Sequence, residues 1–299
     1  MDSSYLKYAK RGYGQDHDFY DWRLSSERKK LSWDKDAKVA ISFIIPLEFF
    51  PLNPSGVPFK HPGAMVTPYP DLRHFTVRDY GNRVGVYRIL QSLQSSGVSA
   101  TFAVNGEIAR RYPPLLELIK SQGHEIAAHG LSTDHIHHEG LKAAEENKLI
   151  KDSLACFDSA KGWMSPARNQ SSKTLERLAK ADVKYCLDWE MDQVPVTAKT
   201  KNGNVTLISN SYELSDFTLF HTRRQSEEAW LEQIKSSIDL LRKEHKRFGS
   251  QMLGLTLTPY VIGQPFRIWA LRSLLEHVKQ QTMSKLLQLV TLRNNFPNN

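Results

Sequence analysis

Five of the chain's 11 histidines fall between Gly123 and His138, in Gly-His-Glu-Ile-Ala-Ala-His-Gly-Leu-Ser-Thr-Asp-His-Ile-His-His. A turn glycine opens the stretch, a short apolar segment follows, and the chain then becomes polar. Imidazole is the side chain best suited to hold a metal or move a proton near neutral pH. A strand that delivers such a loop is how many α/β enzymes present ligands and acid–base groups at the carboxyl edge of a sheet. Composition alone reads the stretch as a solvated loop. Other polar residues in comparable places favour chemistry: Glu48, Asn105, His129 with Asp134 and His135, Ser165 to Arg168, Asp188 with Asp192, and Thr258 with Tyr260. Each follows an apolar run, and polar groups at nearly every strand exit of a sheet mark a reaction centre.

The elements that must position them are read from pattern. Residues 39–45 are apolar and rich in β-formers, which predicts a first buried strand ending at Pro46-Leu47-Glu48. Residues 52–76 hold five of the 14 prolines and read as a lid or insertion. A helix is predicted over 84–93, closed by Gly97, then a strand over 100–104 with Asn105 at its exit. Pro113-Pro114 sets the start of another helix, 115–120, and Gly123 ends it. The third strand, 124–128, delivers His129. An amphipathic helix is predicted over 139–161, with Leu141, Ala144, Leu149, Leu154 and Cys156 near one face. Residues 162–168 break that pattern, and Ser171 or Ser172 caps a helix over 173–180. Strands follow at 185–187 and 205–209, then a long helix over 226–246, a strand over 252–257 and a helix over 268–280, with a further helical segment after it. Strands alternating with helices six or seven times, on short connections, predict a parallel sheet covered by helices in one barrel-like α/β domain over 38–299. Residues 1–37 read as a polar and aromatic arm, with Tyr20 and Trp22 packing on the body or on a neighbouring subunit.

The totals narrow the function classes. The chain has 299 residues, 40% hydrophobic and 24% charged, with net charge +8. That composition is globular. The basic pairs and runs (Arg110-Arg111, Arg223-Arg224, 243–247) read as solvated helix faces, and no nucleic-acid motif accompanies them. Cys156 and Cys186 are read as free thiols rather than a disulfide framework. No signal-like or membrane-spanning apolar run is present, so no membrane partner is expected and the expected location is cytoplasmic.

Four segments carry a resemblance: Gly-His-Glu-Ile-Ala-Ala-His-Gly, Gly-Trp-Met-Ser-Pro, Asp-Trp-Glu-Met-Asp and Pro-Tyr-Val-Ile-Gly-Gln-Pro-Phe-Arg-Ile. They look like the motifs of the polysaccharide deacetylase (NodB-homology, carbohydrate esterase 4-like) superfamily. Arg-Gly-Tyr-Gly-Gln-Asp-His and Arg-Asp-Tyr-Gly-Asn-Arg-Val-Gly-Val resemble its allantoinase-like branch more closely. The resemblance spans roughly residues 10 to 280. It implies a deformed (β/α) barrel of the glycoside hydrolase/deacetylase type. It also implies hydrolysis of non-peptide C–N bonds, in N-acetylated carbohydrates or in small cyclic amides and ureides.

Metal-dependent members hold a divalent ion, such as zinc, on an Asp and two His. By resemblance the ligands here are His129, His135 and Glu48. Thr133 stands where the second motif His usually lies, so His135 with Asp134 is the nearest substitute. Glu48 replaces a pair of Asp residues, as in the allantoinase-like branch, where a metal is not always needed. The resemblance then makes Glu48 ligand or base, His129 ligand or electrostatic group, and Asp134–His135 second ligand or acid. Asn105 and Arg168 stabilise charge on the substrate, with Arg168 partly replacing a motif Arg whose place Met164 takes. Trp163 and Tyr260 wall the site. Asp188 and Thr258 stand at the substrate, Asp188 with a competing reading as a turn or cap residue. Thr258 replaces the motif His that is the usual acid for the leaving group, and a hydroxyl cannot serve as that acid. The alternative is therefore a family member with impaired catalysis, acting as a ligand-binding or partner subunit. His137, His138 and Glu213 are expected at the surface. A homo-oligomer is expected from the arm and the family.

Overall fold

β1 (Val39–Leu47) is buried along its whole length and sorts its side chains by parity. Val39, Ile41, Phe43, Ile45 and Leu47 pack against helices, whereas Ala40 and Ile44 join a cluster built of strand residues and the segment that leads into β1. The same division recurs in β2 (Thr101–Val104), where Phe102 and Val104 face helices and Ala103 faces inward, and in β3 (Glu125–Ala128), where Ala127 faces inward. Period-two alternation with both faces covered is what a parallel barrel strand requires. Alanines at three inward positions let the strands curve closely around a narrow interior.

The computed structural model describes residues 17, 19–21, 23–33, 37–55, 68–280 and 284–286. The fold is α/β, a deformed (β/α) barrel. The remaining strands are β4 (Gly162–Trp163), β5 (Tyr185–Cys186), β6 (Val196–Thr200), β7 (Gly203–Leu207), β8 (Gln251–Thr256) and β9 (Ser284–Leu286). Their order is β6-β7-β5-β4-β3-β2-β1-β8, with β9 beside β1, and every pairing is parallel except β6–β7. The ends of the sheet approach each other where the chain leaving β7 meets β8. Ser211 bridges Leu255, its amide donates to the Gly254 carbonyl at 2.9 Å, and the Met252 amide donates to the Gln193 carbonyl at 2.8 Å. Trp33 lies in the interior cluster with its indole N–H donated to the Gln251 carbonyl. The end of the expected arm is thus part of the barrel.

The helices are α1 (Leu72–Tyr80), α2 (Val86–Ser96), α3 (Gly106–Arg111), α4 (Pro113–Ser121), α5 (Ala143–Leu154), α6 (Thr174–Lys180), α7 (Glu227–Phe248), α8 (Pro259–Ile262) and α9 (Ile268–Gln280). A π-helical turn, Gly81–Gly85, joins α1 to α2 without a break. The expected insertion therefore ends at Asp71, whose carboxylate caps α1 by accepting from the His74 amide at 2.9 Å. Residues 56–67 of that insertion lie outside the described residues, as do Trp22 and 1–16 of the arm.

Several boundaries differ from expectation for local reasons. α5 occupies only Ala143–Leu154, because His138 and Gly140 form a turn and Cys156 lies beyond the last helical turn. α6 starts at Thr174, and Ser171 Oγ accepts from the Lys173 amide at 3.1 Å just ahead of it while donating to Glu146 at 2.8 Å. β6 carries no apolar alternation beyond Ala198 and went unrecognised. The segment after α9 contributes β9 rather than a helix, and 281–283 and 287–299 lie outside the described residues. No helix among the described residues is long and apolar enough to cross a membrane.

Candidate active site

The inward parity of β1, β2 and β3, carried one residue past each strand, reaches Glu48, Asn105 and His129, and that of β8, carried two residues on, reaches Thr258. Asn105 fastens the first three together. Its side-chain N–H donates to the His129 carbonyl, its Oδ1 accepts from the Phe49 amide at 2.7 Å, and its own amide donates to the Leu47 carbonyl at 3.0 Å. Asn105 is fully buried, and both ends of its amide are occupied by backbone. The expectation that it stabilises charge on a substrate is corrected to a positioning role.

His129 is buried. Its Nδ1 lies 2.8 Å from the Met164 carbonyl, an acceptor only, so Nδ1 carries the proton. Nε2 then faces Glu48 Oε1 at 3.6 Å and has no hydrogen-bond partner among the described residues. That separation is too long for a direct hydrogen bond. A small group between the two atoms can bond to both. The Glu48 carbonyl is held by the Asn82 side chain at 2.8 Å, so the residue is fixed from the π-helical turn as well as from β1. Gly130, with φ +64°, lets the chain turn directly after His129 beneath Pro166; a Cβ there would lie 2.4 Å from the proline ring.

Asp134 and His135 are brought together with each other, not with His129. Ser132 Oγ donates to Asp134 Oδ1 at 2.5 Å, the Ser55 amide donates to Oδ2 at 2.8 Å, and His135 Nδ1 lies 3.2 Å from Oδ1. Burial alone would raise the Asp134 carboxyl, but the bonds from His135, Ser132 and Ser55 outweigh it and hold the group well below the usual carboxylate range. The bond to Asp134 in turn raises His135. Thr133 Oγ1 donates to the Phe49 carbonyl at 2.9 Å. This loop clamps the exit of β1.

The expected metal ligands His129, His135 and Glu48 therefore do not converge. No group of three His, Cys, Asp or Glu that could hold an ion occurs among the described residues, and Thr133 offers only a hydroxyl already bound to backbone. These donors do not fit a three-ligand divalent site of the expected composition.

Other expectations are redistributed by strand parity. Trp163 packs with Ile150, Leu175 and Leu178 on the helical side of the sheet, so it is not a wall of the site; its indole N–H donates to Ser165 Oγ at 2.8 Å. Met164, next in sequence, faces the interior. Asp188 Oδ1 accepts from the Ser165 amide at 2.8 Å, and Arg168 Nη2 donates to the Asp188 carbonyl at 3.3 Å and pairs with Glu190. This cross-link ties the β4 and β5 exits, which suits the turn reading of Asp188. His137 is fully buried, contrary to the surface expectation. It bonds Glu146, which also accepts from Thr174, Ser171 and Arg177. Burial opposes ionisation of Glu146, but those bonds and the Arg177 charge lower it to about 2. Glu213 is exposed and pairs with Arg223.

Asp216 was not recognised in the sequence. It is fully buried, accepts from the Thr258 amide at 2.7 Å and the Phe217 amide at 2.8 Å, and burial pushes its carboxyl up to about 7. The signal available was its place two residues ahead of a π-helical turn, Thr218–Thr222, which is weak. Arg78 was also missed as an individual, although the segment that holds it was singled out. Its guanidinium lies over the Phe50 ring at 4.8 Å and the Tyr260 ring at 5.1 Å. Burial raises the Tyr260 phenol, as do the nearby Glu48 and Asp216 charges, against the pull of Arg78.

Glu48, Phe50, Arg78 and Asn82 line a cavity of ≈ 20 Å³ at the β1 exit. A larger cavity, ≈ 540 Å³, lies between β8 and α7 and is lined by Arg28, Glu190, Asp192 and Glu244 among others. It contains neither Glu48 nor His129, whereas Glu48 lines the smaller one.

A polysaccharide deacetylase family model matches residues 76–186, which include β2, β3, His129 and β4. No curated protein matches the chain. Among solved structures, PuuE allantoinase is similar over 95% of this chain and 97% of that one, at 20% identity and a TM-score of 0.80. A probable polysaccharide deacetylase from Pseudomonas aeruginosa PAO1 is similar over 88% and 92%, at 20% identity and a TM-score of 0.77. A CE4 family pseudoenzyme from Bacillus anthracis is similar over 87% and 66%, at 11% identity and a TM-score of 0.51. At these identities the likeness shows a shared fold.

Proposed function

We propose that this chain hydrolyses carbon–nitrogen bonds of a non-peptide amide, as a deacetylase-type hydrolase whose substrate is a small cyclic amide or ureide. The observation that carries the reading is the Glu48–His129 pair: two polar groups at the exits of β1 and β3, across β2 from each other and 3.6 Å apart, with the imidazole tautomer set by the Met164 carbonyl. The polysaccharide deacetylase match over 76–186 supports the reaction class. An N-acetylated carbohydrate is the other substrate of this class.

Amide hydrolysis needs a base for water, stabilisation of the oxyanion and a proton for the leaving nitrogen. A water held between Glu48 and His129 gives one proton to the Glu48 carboxylate as its oxygen bonds the acyl carbon. Nε2 of His129 accepts the water's second O–H and fixes its orientation. When the tetrahedral intermediate collapses, the C–N bond breaks and the proton on Glu48 passes to the departing nitrogen. Glu48 ends as it began, and one water has been consumed per bond. Thr258 needs no acid role in this cycle, because Glu48 returns the proton it took. The chain acts in this reading as a cytoplasmic protein, and its assembly as a homo-oligomer is proposed with it.

The experiment is turnover of allantoin, hydantoin and N-acetylglucosamine oligomers, with and without a strong chelator. Hydrolysis of a cyclic ureide that survives the chelator and disappears in Glu48→Gln is the expected result. Retention of that hydrolysis in Glu48→Gln would remove Glu48 from the centre.

A second reading, a ligand-binding or partner subunit without turnover, is favoured by one observation. By resemblance Thr133 and Thr258 stand where the family's motif histidines usually lie; the observation is that the Thr133 hydroxyl is bound to the Phe49 carbonyl at 2.9 Å. Tight ligand binding without hydrolysis, in the wild type and in Thr258→His alike, is its signature.

A further inference from the structure

Arg78 is unused by the reaction above. It is 3% exposed, and among the described residues neither Nε nor Nη2 has a hydrogen-bond partner. Those two nitrogens share one edge of the guanidinium, where their N–H bonds run parallel. The Phe50 and Tyr260 rings flank the guanidinium from two sides at nearly a right angle to each other, with centroids 6.3 Å apart, and hold it in place. An unpaired donor in a buried place is costly, and a charged one more so. Arg78 lines the same cavity as Glu48.

Backbone packing holds Arg78 there. A Cβ on Gly85 would lie 2.1 Å from the Pro259 carbonyl oxygen, and one on Gly263 would lie 2.6 Å from Gly85 Cα. The Arg78–Gly85 segment and the Pro259–Gly263 segment thus meet backbone to backbone. That contact brings Arg78 over Tyr260.

We infer that Arg78 is a binding residue for a carboxylate, whose two oxygens accept from Nε and Nη2 side-on. Two parallel donors match two oxygens on one planar carbon; a lone carbonyl satisfies only one of them. A phosphate also offers paired oxygens, but it is bulkier, and Glu48 on the same cavity repels its second charge. The inference rests on the hydrolase reading for its location and deepens it. Hydrolysis of an amide leaves a carboxylate on the acyl carbon, so the bound group is either carried by the substrate or formed from it.

Calorimetric binding to the full chain separates these sources. Hydantoin-5-acetate, a ureide bearing its own carboxylate, is compared with the neutral hydantoin-5-acetamide. N-carbamoylglycine, the open-chain acid formed from hydantoin, is compared with its amide. The wild type is expected to prefer the acid of at least one pair by about tenfold or more. Arg78→Met and Arg78→Lys are expected to lose that preference while unfolding cooperatively. Lys keeps the charge but not the fork. Preference in the first pair identifies a substrate-borne carboxylate, and in the second a product carboxylate. No preference in either pair, or preference that survives in Arg78→Met, overturns the inference. Arg78-dependent binding with no turnover of any substrate upholds it while defeating the hydrolase reading; turnover with an unchanged KM in Arg78→Met, and no acid preference, does the reverse.

Discussion

The His129 imidazole donates from Nδ1 to the Met164 carbonyl at 2.8 Å, which leaves Nε2 facing Glu48 Oε1 at 3.6 Å with no partner of its own among the described residues. One backbone carbonyl at the exit of β4 therefore decides which ring nitrogen is available at the exit of β3. Glu48→Gln is expected to lower kcat by at least about a thousandfold, and His129→Asn by about a hundredfold, because the first removes the base and the second only an orienting acceptor. Steady-state kinetics with the ureide panel measure both, and equal losses would reject this division of roles.

The meeting of Gly85 with Pro259 has a cost attached. A methyl at position 85 lies against backbone that cannot rotate away, unlike the end of a flexible side chain. Gly85→Ala is expected to destabilise the fold by about 2 kcal/mol or more. It should also weaken ligand binding, since Arg78 and Asn82 belong to the same segment. Urea unfolding checks the first, and an unchanged midpoint would contradict the packing.

Asp216 makes stability depend on pH. Its folded value, about 7, lies above the ordinary 3.8, so between those values the folded chain holds a proton that the unfolded chain releases. Stability contributed by the protonated form is complete below the ordinary value and is lost as pH rises through about 7. The loss is on the order of 4 kcal/mol. In Asp216→Asn the titration is gone, so its stability should stay flat from about pH 5 to about pH 8 while the wild type declines. Parallel curves for the two proteins would show that Asp216 is not the group responsible.

Glu146 acts in the opposite direction. Its value of about 2 lies below the ordinary 4.5, so its contribution is present above the ordinary value and is lost as pH falls towards about 2. Glu146→Gln leaves Arg177 without its counter-charge and His137 with a poorer acceptor. A loss of about 3 kcal/mol is expected at neutral pH. Arg177→Met in the same chain should recover part of it. A double-mutant cycle on denaturation free energies reads the coupling, and strict additivity would deny it.

The sequence by itself determined the alternation of strands and helices, the buried β1 with Glu48 at its end, and the strand that delivers His129. Those are local matters: apolar runs of strand length, proline and glycine at helix ends, and one histidine just past a run. It did not determine which polar residues meet. His135 is six residues from His129, yet Ser132 and Asp134 turn it to a different partner. Trp163 and Met164 are adjacent, and the pleat sends them to opposite faces. His137 and His138 are adjacent too, and only His137 is buried. Arg78 and Tyr260 are far apart in the chain and touch because two glycine-containing segments press backbone on backbone. Local pattern sets the elements. Side-chain direction and long-range contact set the site, and only the curved sheet with its helices packed on it supplies those.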